Sequence, residues 1–69
     1  MPSIADRIGQ AQRHVEWGRF AIVRQKEMIE RHRAEGRDTK LAEDLLSVFE
    51  RTQKVFEHDL AELEKRAKY

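Results

Sequence analysis

Apolar residues recur along the first half of the chain at alternating steps of four and three. Ile4, Ile8, Ala11, Val15, Gly18, Ile22, Gln25, Ile29 and His32 make an unbroken heptad seam, which predicts one long amphipathic helix. Branched side chains (Ile8, Val15, Ile22, Ile29) alternate along it with small or polar ones (Ala11, Gly18, Gln25, His32). A second set, His14, Trp17, Ala21 and Met28, lies beside the seam. At roughly 100° per residue, the two sets together span about half the helix circumference. Beyond them Arg13, Trp17, Phe20, Arg24 and Arg31 form an oblique stripe of arginine and aromatic residues.

The second half repeats the pattern. Ala42, Leu45, Phe49, Thr52, Phe56, Leu60, Leu63 and Ala67 read as a central stripe, with Leu41, Val48 and Val55 widening it on one side and Leu46 and Gln53 on the other. Glu50–Lys54, Glu62–Arg66 and Glu64–Lys68 stand four apart in the order that supports a helix on its solvent face.

Between the halves, Glu35-Gly36-Arg37-Asp38-Thr39 carries both a stop and a start signal. Glycine enters the left-handed conformation without steric cost just past a helix end, and Arg31, His32 and Arg33 suit the negative pole of the helix before it. Asp38 or Thr39 can then cap the free amides of a new helix, and Glu43 and Asp44 place negative charge in its first turns. At the N-terminus, Ser3 and Asp6 have capping-box spacing after Pro2.

The expected fold is therefore all-α: a single domain over residues 1–69, an antiparallel αα-hairpin with helices at about 4–34 and 39–67 and the turn at 35–38. Folding at Gly36 would set Gly18 near Phe56, Ala11 near Leu63 and Ile29 near Leu45. Small opposite large is the pattern of a close-packed helix pair, and it gives a reason for Gly18, a residue that costs about 1 kcal/mol against alanine inside a helix. The expected hairpin core is Ile8, Ala11, Val15, Gly18, Ile22, Ile29, Leu45, Phe49, Phe56, Leu60 and Leu63.

An apolar arc of half a circumference is wider than one neighbouring helix covers. The expected remedy is homodimerisation, two hairpins closing an antiparallel four-helix bundle of coiled-coil type. Arg13, His14, Trp17, Phe20, Ala21, Arg24, Met28, Val48 and Val55 are the expected interface. Tryptophan and arginine are enriched among binding hot spots, so a different protein is the alternative partner for the same residues.

Composition narrows the classes further. Of 69 residues, 39% are charged and 39% hydrophobic, which fits neither a membrane span nor a strongly disordered chain, and no membrane partner is expected. The absence of cysteine removes disulfides and thiolate metal sites. No basic segment followed by an apolar run opens the chain, so a cytoplasmic protein is expected by elimination. The net charge of +1 is unevenly shared: residues 1–37 hold eight Lys/Arg against five Asp/Glu, and residues 38–69 six against eight. The halves attract modestly, and the clear basic excess of a nucleic-acid binder is missing.

Candidate chemistry is sparse. His14 and His32 are five helical turns apart, about 27 Å, too far to share a metal within one chain. The Glu-x-x-His pairs of di-iron bundles are lacking, since Ala11, Ile29 and Val55 precede the three histidines by three residues. Neither metal nor cofactor is expected. Ser3 and Ser47 have no convincing histidine partner, and no glycine-rich phosphate loop exists, so no enzyme is expected. Dimeric helical hairpins can carry phospho-accepting histidines, which makes a phosphotransfer or regulatory role through His58, beside Asp59, the alternative reading. Weak binding of single-stranded nucleic acid through the Arg13/Trp17/Arg24 stripe is a further alternative.

The order His14-Val15, Gly18, Ile22, Arg24-Gln25, Ile29, Gly36, Asp38-Thr39, Ala42, Leu45-Leu46, Phe49-Glu50 and Thr52 resembles a family of short bacterial helical-hairpin proteins, whose segments also occur attached to sensory and signalling domains. The resemblance covers roughly residues 14–63. Its Gly-x-Asp-Thr turn followed by Leu-Leu-x-x-Phe-Glu is the more specific part. Where that family often has leucine then histidine after the threonine, this chain has Gln53 and Phe56, so no histidine-based role carries over. The resemblance implies an interaction or dimerisation module, possible in signalling, with no known activity.

Overall fold

The computed structural model describes residues 1–68. Two helices, α1 (Ile4–Ala34) and α2 (Lys40–Lys68), pack along each other as an antiparallel hairpin 53 Å long and only 19 × 14 Å in section. Both helices lie where the periodicity put them. No helix among the described residues is long and apolar enough to cross a membrane.

The ends form for the reasons local chemistry supplies. Ser3 Oγ accepts from the Asp6 amide at 3.1 Å, and Asp6 Oδ2 accepts from the Ser3 amide at 3.3 Å, a complete capping box. At the other end of α1, Gly36 takes φ +74°. Its amide donates to Arg33 O at 3.1 Å and that of Arg37 to His32 O at 2.8 Å, so two orphan carbonyls find partners in a Schellman closure. Asp38, rather than Thr39, supplies the side-chain cap of α2: its Oδ1 accepts from the Lys40 amide at 3.0 Å.

Surface ion pairs differ from the expected set. Lys40–Asp44 at 3.0 Å, Glu62–Lys65 at 3.7 Å and the interhelical Arg33–Glu43 at 3.0 Å are formed, whereas Glu50–Lys54, Glu62–Arg66 and Glu64–Lys68 are not. The Asp44 carboxylate, hydrogen-bonded to Lys40 Nζ, holds that ammonium above its ordinary pKa. All these groups are solvated and contribute little to stability.

The α1 seam faces α2 as its spacing requires. Ala11, Val15, Gly18, Gln25 and Ile29 are buried, and Ile8, Ile22 and His32 half-buried; Ile4, in the first turn, is exposed. In α2 the facing stripe is Ala42, Leu46, Phe49, Gln53, Phe56, Leu60 and Leu63. This corrects the expected stripe by one residue at two positions: Leu46 and Gln53 turn inward, while Leu45, expected in the core, is 44% exposed and Thr52 is exposed. The observed set keeps unbroken steps of four and three, as α1 does, so two seams of the same period meet along their whole length.

Two glutamines lock these seams together. Gln25 Nε2 of α1 donates to Ala42 O of α2 at 2.9 Å, and Gln53 Nε2 of α2 donates to Val15 O of α1 at 2.8 Å. The carboxamide of Gln53 lies against Gly18: a Cβ built there would overlap Oε1 and stand 2.7 Å from Cδ. Gly18 therefore faces Gln53, not Phe56, and Phe56 instead stacks on His14, with ring centroids 5.0 Å apart. The register is displaced by about one turn from a symmetric fold at Gly36. The connection is itself asymmetric: Gly36 turns the chain sharply at the end of α1, and residues 37–39 run without helical structure before α2 begins.

Candidate interaction surface

Seen along its length, the hairpin has two unlike faces. Stepping about 100° round each helix from its seam, in the senses that bring the two helices to the same side, gives two further stripes. On α1 these are His14, Trp17, Ala21, Arg24 and Met28; on α2, Leu41, Leu45, Val48, Thr52 and Val55. The α2 stripe has heptad spacing of its own. The opposite side carries Gln12, Glu16, Arg19, Lys26, Glu30 and Arg33 from α1 and Glu43, Ser47, Glu50, Lys54 and Glu57 from α2. The Arg33–Glu43 ion pair crosses that second side. One face is apolar at its middle, and the other is mostly charged, interrupted by the exposed Val23.

The apolar face is uncovered. Trp17 is 66% exposed, Phe20 60%, Leu41 84%, Val48 43% and Val55 58%, while Ala21 and Met28 are half-buried. The other expected interface residues, Arg13, His14 and Arg24, are exposed. His14 is held by its stack on Phe56, and the Arg24 guanidinium lies 5.6 Å from the centre of the Phe20 ring, a cation–π arrangement. Leu41 and Leu45 extend the surface beyond the residues expected from sequence. The signal for them was present, because Leu41, Leu45, Val48, Thr52 and Val55 repeat at steps of four and three.

Toward the chain termini the same face becomes polar. Arg7, Gln10, His14, Asp59, Glu62 and Arg66 line an open groove of about 370 Å³ floored by Ala11, Phe56 and Leu63. Arg7 stands there on α1, and Asp59 and Glu62, with Arg66, on α2. Near the loop, Trp17, Phe20, Arg24, Met28 and Arg31 border a second open groove along α1.

The total accessible surface is 5687 Å². A compact folded monomer of this mass exposes about 4,500 Å² by the usual scaling with molecular weight. The rod-like hairpin thus leaves about 1,200 Å² more in water than a compact chain would, more than the roughly 800 Å² that each partner contributes to a stable protein interface.

The groups considered for chemistry do not converge. No cluster of three or more His, Asp or Glu side chains able to hold a metal occurs among the described residues. His32 lies half-buried in the seam near the loop, and His14 is at the terminal end of the apolar face. His58 is exposed on α2. Among the described residues neither His58 nor Asp59 makes a side-chain hydrogen bond.

Comparison with known proteins adds no relative: no family model matches the chain, and neither a curated protein nor a solved structure does.

Proposed function

We propose that this chain is a non-enzymatic helical-hairpin module that works by self-association, two copies burying their apolar faces to close an antiparallel four-helix bundle. The observation that carries this reading is the segregation of the surface. Trp17, Leu41, Leu45, Val48 and Val55 lie uncovered on one face, whereas the other face is mostly charged, with Val23 the exposed large apolar residue on it among the described residues. Scattered exposed apolar residues are ordinary on any protein, whereas a run of them along α2 beside Trp17 of α1 marks a contact surface. The resemblance to bacterial hairpin segments that accompany signalling domains supports a role as an assembly or docking unit in signalling.

Trp17 is the only tryptophan, so its fluorescence reports the face directly. On a lone hairpin its ring is mostly in water; beneath a second copy it is not. Emission should move to longer wavelength as the protein is diluted from micromolar to nanomolar, while helical circular dichroism at micromolar concentration stays high. A fully hydrated emission at every concentration from a folded protein would overturn the proposal.

A further inference from the structure

Two ways of closing the bundle by a two-fold axis are open to this hairpin. With the axis parallel to the helices, each α1 packs against the partner's α2 and both loops lie at one end. With the axis perpendicular to the helices, α1 packs on α1 and α2 on α2, and the loops lie at opposite ends. Both make every neighbour antiparallel, so packing geometry alone does not choose between them.

Charge and height along the rod do choose, and we infer that the partner is a second copy related by a two-fold axis parallel to the helices. This inference rests on the self-association proposed above and specifies its form. Rotation about the long axis leaves heights unchanged, so each α1 residue meets the partner's α2 residue at the level it already occupies. Gly18 is level with Gln53 and His14 with Phe56. Trp17 then meets the partner's Val55, Ala21 the partner's Val48, and Met28 the partner's Leu41 and Leu45. Trp17 thus meets a smaller valine and Ala21 a larger one, while Met28 meets leucines of its own size. At the polar end Arg7 and Gln10 come to the partner's Asp59 and Glu62, with the partner's Arg66 about a turn further along.

The perpendicular axis places like beside like. Centred on the apolar patch at Ala21, it brings Arg13 to within about 3 Å in height of the partner's Arg31, two residues off level. It also lays the half-chain with eight Lys/Arg and five Asp/Glu on its own copy, and likewise the half-chain with six and eight. The parallel axis opposes the basic half to the acidic half at both interhelical contacts. Like charges brought together at an interface are penalised and complementary ones select the arrangement.

The test is a distance. The chain has no cysteine, so Arg37→Cys, on the exposed loop, provides one spin-label site per chain without touching either face. With the parallel axis, dipolar spectroscopy at high protein concentration should give an intermolecular separation within about 20 Å, because adjacent helix axes lie only 8–10 Å apart. The perpendicular axis requires roughly 40 Å, the rise of 1.5 Å per residue from Ala21 to the loop taken twice. The long distance would overturn the arrangement and leave self-association standing. No intermolecular dipolar signal at all would overturn both.

Discussion

Gly18→Ala asks whether the seam is built around the Gln53 carboxamide. Inside an exposed helix this change stabilises by about 1 kcal/mol, since alanine is the better helix former. Here the new methyl would overlap Gln53 Oε1 and sit 2.7 Å from Cδ, so the carboxamide must leave its place. Leaving breaks the 2.8 Å bond from Nε2 to Val15 O, about 0.5–1.5 kcal/mol. Forcing an extra carbon into a packed seam adds about 1–3 kcal/mol. Subtracting the propensity gain leaves a net loss of about 0.5–3.5 kcal/mol, a fall in Tm of the order of 4–8 °C per kcal/mol for a chain this small. The assay is thermal or urea unfolding followed by helical circular dichroism, at one fixed concentration because association contributes to stability. The same substitution in a Gln53→Ala background should recover the propensity gain and become stabilising. A coupling energy of about 1–3 kcal/mol between the two sites is expected. A higher Tm for Gly18→Ala alone, or strict additivity with Gln53→Ala, would refute the socket.

Other substitutions separate the remaining parts of the account. Gln53→Met keeps the length of the side chain and removes the buried Oε1, which has no hydrogen-bond partner among the described residues. Loss of the bonds from Nε2 to Val15 O at 2.8 Å and to Glu57 Oε1 at 3.4 Å is largely offset by removal of that unpartnered oxygen, so stability should stay within about 1 kcal/mol by urea titration. Gly36→Ala meets no atom within 4 Å but must hold φ +74°, and should cost about 1–2 kcal/mol through backbone conformation alone. Trp17→Asp combined with Val55→Asp puts charge on the uncovered face while sparing the seam. Light scattering should then give the monomer mass, with a lower Tm than the parent at the same concentration.

The architecture was legible because local signals agree with one another. Ile8, Val15, Ile22 and Ile29 stand at one period, Gly36 ends the run, and Asp38 restarts it, each by chemistry confined to a few neighbouring residues. The α2 seam was legible only to within one residue. Leu45 and Leu46 are adjacent and equally apolar, and hydropathy disfavours Gln53 as a core position. What admits Gln53 is the missing side chain at Gly18, on the other helix and thirty-five positions earlier, a cue no window of sequence contains. The level of one helix against the other was likewise hidden, because it depends on the uneven path of the connection and on where the glutamines find carbonyls. The apolar face was readable in outline from Trp17, Met28, Val48 and Val55. Its extension through Leu41 and Leu45 became plain once the seam beside it was placed. The polar groove between Arg7 and Glu62 needed the register, since its two sides come from opposite ends of the sequence.

Dimerisation follows only if one hairpin is unable to cover its own apolar face. Sedimentation equilibrium of the unaltered protein over a wide concentration range tests this most directly. A mass converging on twice 8.2 kDa at high concentration is the predicted result. A well-folded protein that stays at the single-chain mass throughout, with Trp17 and Val55 bare to water, would contradict it.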